Sequence, residues 1–146
     1  MSTRSEIAIL NSDGTVTGIY CHWDGYVDHN GRILSESYQE IEKVKKLISG
    51  GDLSSLRKEI EPTAKHSFEN PQDDVCIYYH RDREEEWEYT KPKVYSNISS
   101  LCESLKDSWV EYLYLYIGGD WWYWDIYRTE RFTLKHLKTD IKDLEK

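Results

Sequence analysis

Between Trp109 and Tyr127 the chain reads W-V-E-Y-L-Y-L-Y-I-G-G-D-W-W-Y-W-D-I-Y, two alternating runs parted by Gly118-Gly119. A Gly-Gly pair supplies the positive φ angles of a two-residue hairpin turn, so it sets a register as well as a hairpin. In that register Ile117 opposes Asp120, Tyr116 opposes Trp121, Leu115 opposes Trp122, Tyr114 opposes Tyr123 and Leu113 opposes Trp124. Side chains alternate with period two, which sorts the hairpin into unlike faces. Leu113, Leu115, Ile117, Trp122 and Trp124 are expected to pack inward. Tyr112, Tyr114, Tyr116, Trp121, Tyr123 and Asp125 share the other face, rings with polar tips plus one carboxylate, a composition suited to gripping a partner. That face has three readings: burial beneath the chain's own 133–145 segment, self-association, or capture of a partner or ligand. A three-residue loop that took in Asp120 would exchange Trp121 and Tyr123 with Trp122 and Trp124.

The aromatic balance, 12 Tyr and 6 Trp against 2 Phe, strengthens interest in that face, since buried Tyr and Trp must find hydrogen-bond partners. A length of 146 residues predicts one domain over 1–146, with a single core. Residues 1–127 hold 13 basic and 23 acidic side chains, a net −10, while 128–146 hold 6 and 4, a net +2. Such a body argues against direct binding to a nucleic-acid backbone and suits docking onto a basic surface, including one that normally holds nucleic acid. There is no apolar run of membrane-spanning length and no apolar secretory core after M-S-T-R-S-E, so the expectation is a cytoplasmic protein with no membrane contact. Cys21, Cys76 and Cys102 form no C-x-x-C and read as free thiols.

Along the chain, 6–11 and 15–23 read as strands joined by Ser12-Asp13-Gly14. Helical spacing follows from about Ser35 to Ser49, with Ser37 and Glu40 resembling a capping box. Gly50-Gly51 stops it, and Asp52 reads as the N-cap of a short helix burying Leu53, Leu56 and Ile60. Residues 61–74 read as a loop, 75–80 as a strand, and 81–93 as a charged excursion. A helix is expected from Ser96 to about Lys106, and a last one capped by Thr133. The order predicts an α+β fold with a mainly antiparallel sheet (N-terminal hairpin, central strand, aromatic hairpin) and three to four helices packed on one side of it.

The segment Y-C-H-W-D-G-Y at 20–26, with S-T-R-S at 2–5 and N-G-R-I-L at 30–34, resembles a family of small, largely uncharacterised proteins of tailed bacteriophages and prophages. G-D-L-S-S-L at 51–56, K-H-S-F-E-N-P at 65–71 and V-C-I-Y-Y-H-R-D-R-E at 75–84 extend the similarity over roughly the first ninety residues. Val27 departs from the proline, and His80 from the glycine, that the pattern favours. The resemblance carries no activity; it implies an accessory phage protein acting in the bacterial host cytoplasm.

Cys21 and His22 are adjacent, so on a strand they point to opposite faces and make a poor nucleophile–base pair. His22, Asp24, Asp28 and His29 fall within eight residues but match no metal spacing with a worked-out geometry, so no metal or cofactor is expected. His22, Trp23, Asp24 and Tyr26 read first as a structural corner around Gly25, and otherwise as a recognition loop. Arg81 and Arg83 precede the carboxylates Glu84, Glu85, Glu86 and Glu88: a solvated charged loop, or an acidic strip with Trp87 and Tyr89 as anchors. Arg4, Arg32, Arg81 and Arg83 are the guanidiniums that could gather around an anion.

These residues predict a non-enzymatic phage accessory protein (anti-CRISPR-like) that inhibits or redirects a bacterial protein handling nucleic acid or defence. Its contact surface would comprise the tyrosine face, the 22–26 loop, Arg81 and Arg83. The alternative is a sponge for a nucleotide-like small molecule, held by stacking and arginine. An enzyme using Cys21, His22 or Asp24 is the third reading, and a homo-oligomer is left open.

Overall fold

The computed structural model describes residues 2–145. Strands β1 (Ser5–Leu10) and β2 (Val16–Cys21) pair antiparallel, and the Asp13 carboxylate closes their turn by accepting the Thr15 N–H and hydroxyl. A π-helical turn over Val27–Gly31 leads into α1 (Arg32–Ser37) and then α2 (Ile41–Ser49). The expected continuous helix over 35–49 is thus two helices. The break at Tyr38–Glu40 has a physical cause: the Tyr38 carbonyl accepts the Trp121 indole N–H at 2.8 Å, and the Gln39 carbonyl accepts the Tyr116 hydroxyl at 2.8 Å.

After α2 come β3 (Leu53–Ser55), β4 (Ile77–Tyr78), α3 (Tyr79–Arg83), α4 (Trp87–Thr90), β5 (Lys93–Tyr95) and α5 (Ile98–Lys106). The chain finishes with β6 (Tyr112–Ile117), β7 (Asp120–Asp125), β8 (Lys135–His136) and α6 (Leu137–Leu144). Four expectations change here. Leu53–Ser55 is strand rather than helix, the 75–80 strand shortens to two residues, the charged 81–93 run yields two short helices, and Thr133 caps nothing because β8 precedes α6. For α5 the cap is Asn97, whose side chain accepts the Ser100 N–H at 2.8 Å.

The fold is α+β. Its eight-stranded sheet runs β4-β3-β2-β1-β6-β7-β8, with β5 also paired to β2. It is mixed: β1 with β6 and β2 with β3 are parallel, and the other pairings are antiparallel. Among the described residues there are six α-helices, more than expected, and they cover both sheet faces. On one, Leu34, Val44, Leu47, Leu137 and Ile141 from α1, α2 and α6 pack over Ile7, Ile9, Ile19 and Tyr114; on the other, Leu101, Cys102 and Leu105 of α5 pack over Ala8, Val16, Leu113, Leu115 and Trp124. Among the described residues no helix is long and apolar enough to cross a membrane.

The aromatic hairpin has the expected register throughout, with Gly118 and Gly119 at φ +57° and +89°. Its tyrosine face, however, is buried, which overturns its expected role as a contact surface. Tyr112, Tyr114, Tyr116, Trp121 and Tyr123 lie within the core beneath α1, α2 and α6. Each polar tip has an internal partner: Tyr114 donates to the Gly25 carbonyl at 2.6 Å, Tyr123 to Asp140 at 2.6 Å, and Tyr112 accepts from Arg128 at 2.7 Å. The scarcity of Phe follows, because these hydroxyls tie the sheet to the loops and helices laid over it.

Candidate ligand-binding cleft

β2 is flanked along one edge by two short strands, β5 opposite Val16–Gly18 and β3 opposite Cys21. Between them Tyr20 has no strand partner on that side. Asp52, the residue before β3, takes the vacant place: its Oδ1 accepts the Tyr20 N–H at 2.9 Å. The Asp52 backbone is held in turn by the Thr90 carbonyl at 2.7 Å and the Tyr79 N–H at 3.2 Å. An aspartate that reads as a helix cap therefore works as a substitute rung of the sheet.

Glu6 lies on β1 opposite Tyr20, on the α5 side of the sheet, and is only 5 % exposed. A Cβ on Gly18 would stand 2.6 Å from its Oε2, so the glycine leaves the room that the carboxyl fills. No hydrogen bond or ion pair from a described residue reaches that carboxyl. Burial raises the Glu6 pKa well above the ordinary carboxylate range, the charge of Asp52 raises it further, and Lys93 partly offsets both. Burial also pushes Asp52 up to about 6, opposed by the Tyr20 N–H and by Lys93.

Both carboxyls line a cleft of about 380 Å³ between the β1–β2–β5 region and α5. Arg4 and Lys93 add cations, Tyr20 and Tyr95 add rings and hydroxyls, and Ser104 and Leu105 come from α5. At the mouth, Trp109 leaves its indole 76 % exposed. The Tyr20 hydroxyl stands 2.6 Å from His22 Nδ1, and burial, then Arg4, lowers the His22 pKa, keeping that imidazole neutral at pH 7. The cleft thus offers a buried acid that no described residue hydrogen-bonds, a second carboxyl, two cations nearer solvent and stacking surfaces. A second hollow of about 380 Å³ runs along Ser67–Glu69 and Asp82–Glu84. Its buried acid is already committed: Asp82 accepts the Tyr78 N–H at 2.8 Å, pairs with Arg81 at 2.8 Å and lies 3.3 Å from His66.

The site residues expected from sequence scatter. Asp125, half-buried, meets Arg128 at 3.2 Å, and its Oδ1 is buried without a partner. Trp23 and Tyr26 are exposed rings, packed edge-on to His22 and tilted against His29 respectively. Asp24 takes a left-handed conformation at φ +58°, and its carbonyl accepts the Asn30 N–H at 3.2 Å, as the corner reading requires. Arg81 is structural: it donates to the carbonyls of Ile60 and Cys76 at 2.7 and 2.8 Å. Arg83 lies over the Phe68 ring, and Arg32 pairs with Asp28 and Glu145, so the four arginines do not converge. Only Arg4 among them reaches the cleft. The Cys21 thiol is buried and its pKa is pushed up to about 12 by that burial, which leaves no thiolate for nucleophilic work at neutral pH. Among the described residues, no group of three or more His, Cys, Asp or Glu is placed to hold a metal ion.

Glu6, Asp52, Lys93, Tyr95 and Trp109 were not singled out by sequence as a site. One signal pointed there: strand alternation sets Glu6 beside Ala8 and Leu10, with a glycine in the facing strand. Comparison with family models, curated proteins and solved structures returns no match.

Proposed function

We propose that this chain is a binding protein that captures a small polar molecule in the cleft between Glu6, Asp52 and α5. The observation that carries the proposal is the Glu6 carboxyl, buried, without a donor among the described residues, and lining an open cleft beside cations and aromatic rings. Glu6 opens on the cleft, so a ligand that brings donors replaces water there with direct bonds. In a half-desolvated pocket such bonds are stronger than in water, which gives affinity and selectivity. A thermal-shift screen of small polar metabolites tests the proposal: a hit that raises the melting temperature of the native chain and not of a Glu6→Gln variant is expected. Hits that stabilise both equally would place binding elsewhere.

A second reading retains the phage-accessory function. Arg83 through Tyr89 are all exposed, and the strip combines Glu84, Glu85, Glu86 and Glu88 with Trp87 and with Tyr89, 81 % exposed. Charge of that sign beside two rings suits a basic face on a bacterial host protein in the host cytoplasm. Capture of a host protein that survives Tyr116→Phe and is lost in Trp87→Ala/Tyr89→Ala is its expected signature.

A further inference from the structure

We infer that the cleft is selective for a ligand with two adjacent N–H donors at one end and an anionic group at the other. The inference rests on the binding role proposed above and names the chemistry of its ligand. Three observations carry it. First, the most buried titratable group of the cleft is a carboxyl: among the described residues no N–H or O–H donates to either oxygen of Glu6. Second, Asp52 beside it is also a carboxyl, with one oxygen committed to the Tyr20 N–H. A pair of carboxyls excludes an anion from the inner end, and a fork of N–H groups satisfies a carboxylate in two parallel bonds. Third, the cations Arg4 and Lys93 line the same cleft and are less buried than Glu6, so an anionic group is matched toward solvent.

A guanidinium or amidinium head carries such a fork, and so does the ring-and-amino edge of a guanine-type heterocycle. Tyr20, Tyr95 and Trp109 supply stacking surface for a flat head of either kind. The groups lining the cleft with Glu6 are Arg4 just before β1, Tyr20 from β2, Asp52 from the approach to β3, and Lys93 and Tyr95 from β5; α5 contributes the uncharged Ser104 and Leu105. Burial raises the Glu6 pKa, so the free carboxyl keeps a proton to higher pH than an ordinary glutamate, whereas the fork binds the ionised form; ligand entry therefore favours release of that proton to solvent. Affinity therefore rises with pH.

Isothermal titration of the full chain at pH 7 uses guanosine monophosphate and L-arginine as probes of the two head types, each with an anionic group. Adenosine monophosphate and L-lysine keep the anion but lack the paired fork. Agmatine keeps the fork without the anion. The expected result is binding of one of the first two at least about tenfold tighter than its matched controls. The expected affinity also increases between pH 6 and 8, with proton release seen on changing buffer ionisation enthalpy, and both features vanish in Glu6→Gln. Should that variant misfold, the pH trend and proton release in the native chain decide alone. Absence of binding by both fork-bearing probes overturns the inference, as does affinity that falls with rising pH. A metabolite that needs Glu6 but has no such fork overturns the inference and leaves the binding role intact.

Discussion

The Glu6 carboxyl occupies space that exists because residue 18 is glycine: Oε2 would lie 2.6 Å from a Cβ built there. The two residues belong to neighbouring strands, Glu6 pairing with Tyr20 and Gly18 with Ala8. A mid-strand glycine sacrifices packing and conformational entropy. Here that loss is what lets an acid lie flat on the sheet beneath α5. Gly18→Ala is expected to displace the carboxyl while keeping the fold, because the far end of a flexible side chain is what gives way. Ligand affinity should fall by about tenfold or more in this variant, with a circular dichroism spectrum like that of the native chain.

Stability should fall as pH rises, from the same pair of carboxyls. Asp52 titrates near 6 in the folded chain, and Glu6 is raised well above its ordinary value. Unfolded carboxyls titrate near about 4, so between there and the folded values the native state holds more protons than the unfolded one. Their contribution is fully present below that window and is lost upward through it. Urea denaturation is expected to show a higher midpoint at pH 5.5 than at pH 8, and Glu6→Gln should flatten the difference.

Asp52 has a separable structural role, which two substitutions resolve. Asp52→Asn keeps an acceptor for the Tyr20 N–H, whereas Asp52→Ala leaves that N–H unpaired. The alanine variant is expected to be less stable than the asparagine variant by about 1–2 kcal/mol in chemical denaturation at pH 7. Equal stabilities would mean that solvent replaces the carboxylate at the sheet edge.

Much of the fold is legible in the sequence, and the reason differs from element to element. Gly118-Gly119 dictates the hairpin register because only one common turn uses two positive-φ residues. Which face of that hairpin stays wet is not written locally. Tyr114 and Tyr116 have the same ambivalent rings whether they meet a partner or the carbonyls of Gly25 and Gln39, 89 and 77 residues away in sequence. The cleft was hidden for a related reason. Asp52 followed by L-S-S-L has the local signature of a helix start, and only β2 and β4 beside it make Leu53–Ser55 a strand. Lys93–Tyr95 lies in a charged, proline-bearing run and becomes β5 only by pairing with β2. Three-residue strands are decided by their neighbours rather than by their own composition.

The tyrosine face offers a direct comparison of burial with contact. Tyr114→Phe removes a hydroxyl whose 2.6 Å bond to the Gly25 carbonyl is fully buried, leaving that carbonyl without its donor. A loss of about 1–2 kcal/mol in unfolding free energy is expected, with ligand binding in the cleft unaltered. Unchanged stability together with altered binding would restore the face to a functional role.

Asp82 holds the long 61–74 segment through His66, with the Arg81 pair and the Tyr78 N–H at its other contacts. His66 Nδ1 accepts the Gln72 N–H at 2.9 Å, which orients the ring toward the acid. Asp82→Ala should release this segment, making 61–74 the first site cut in limited proteolysis while the β1–β2–β6–β7 core persists.

Glu6 is a buried acid that no described residue hydrogen-bonds, which leaves it for a ligand to meet. Carbon-detected NMR titration of the Glu6 side-chain carboxyl in the ligand-free chain measures it most directly. A midpoint well above the ordinary carboxylate range is expected, moving down when Lys93 is kept and Asp52 is replaced by Asn. A midpoint near about 4, the value of a solvated glutamate, would contradict it.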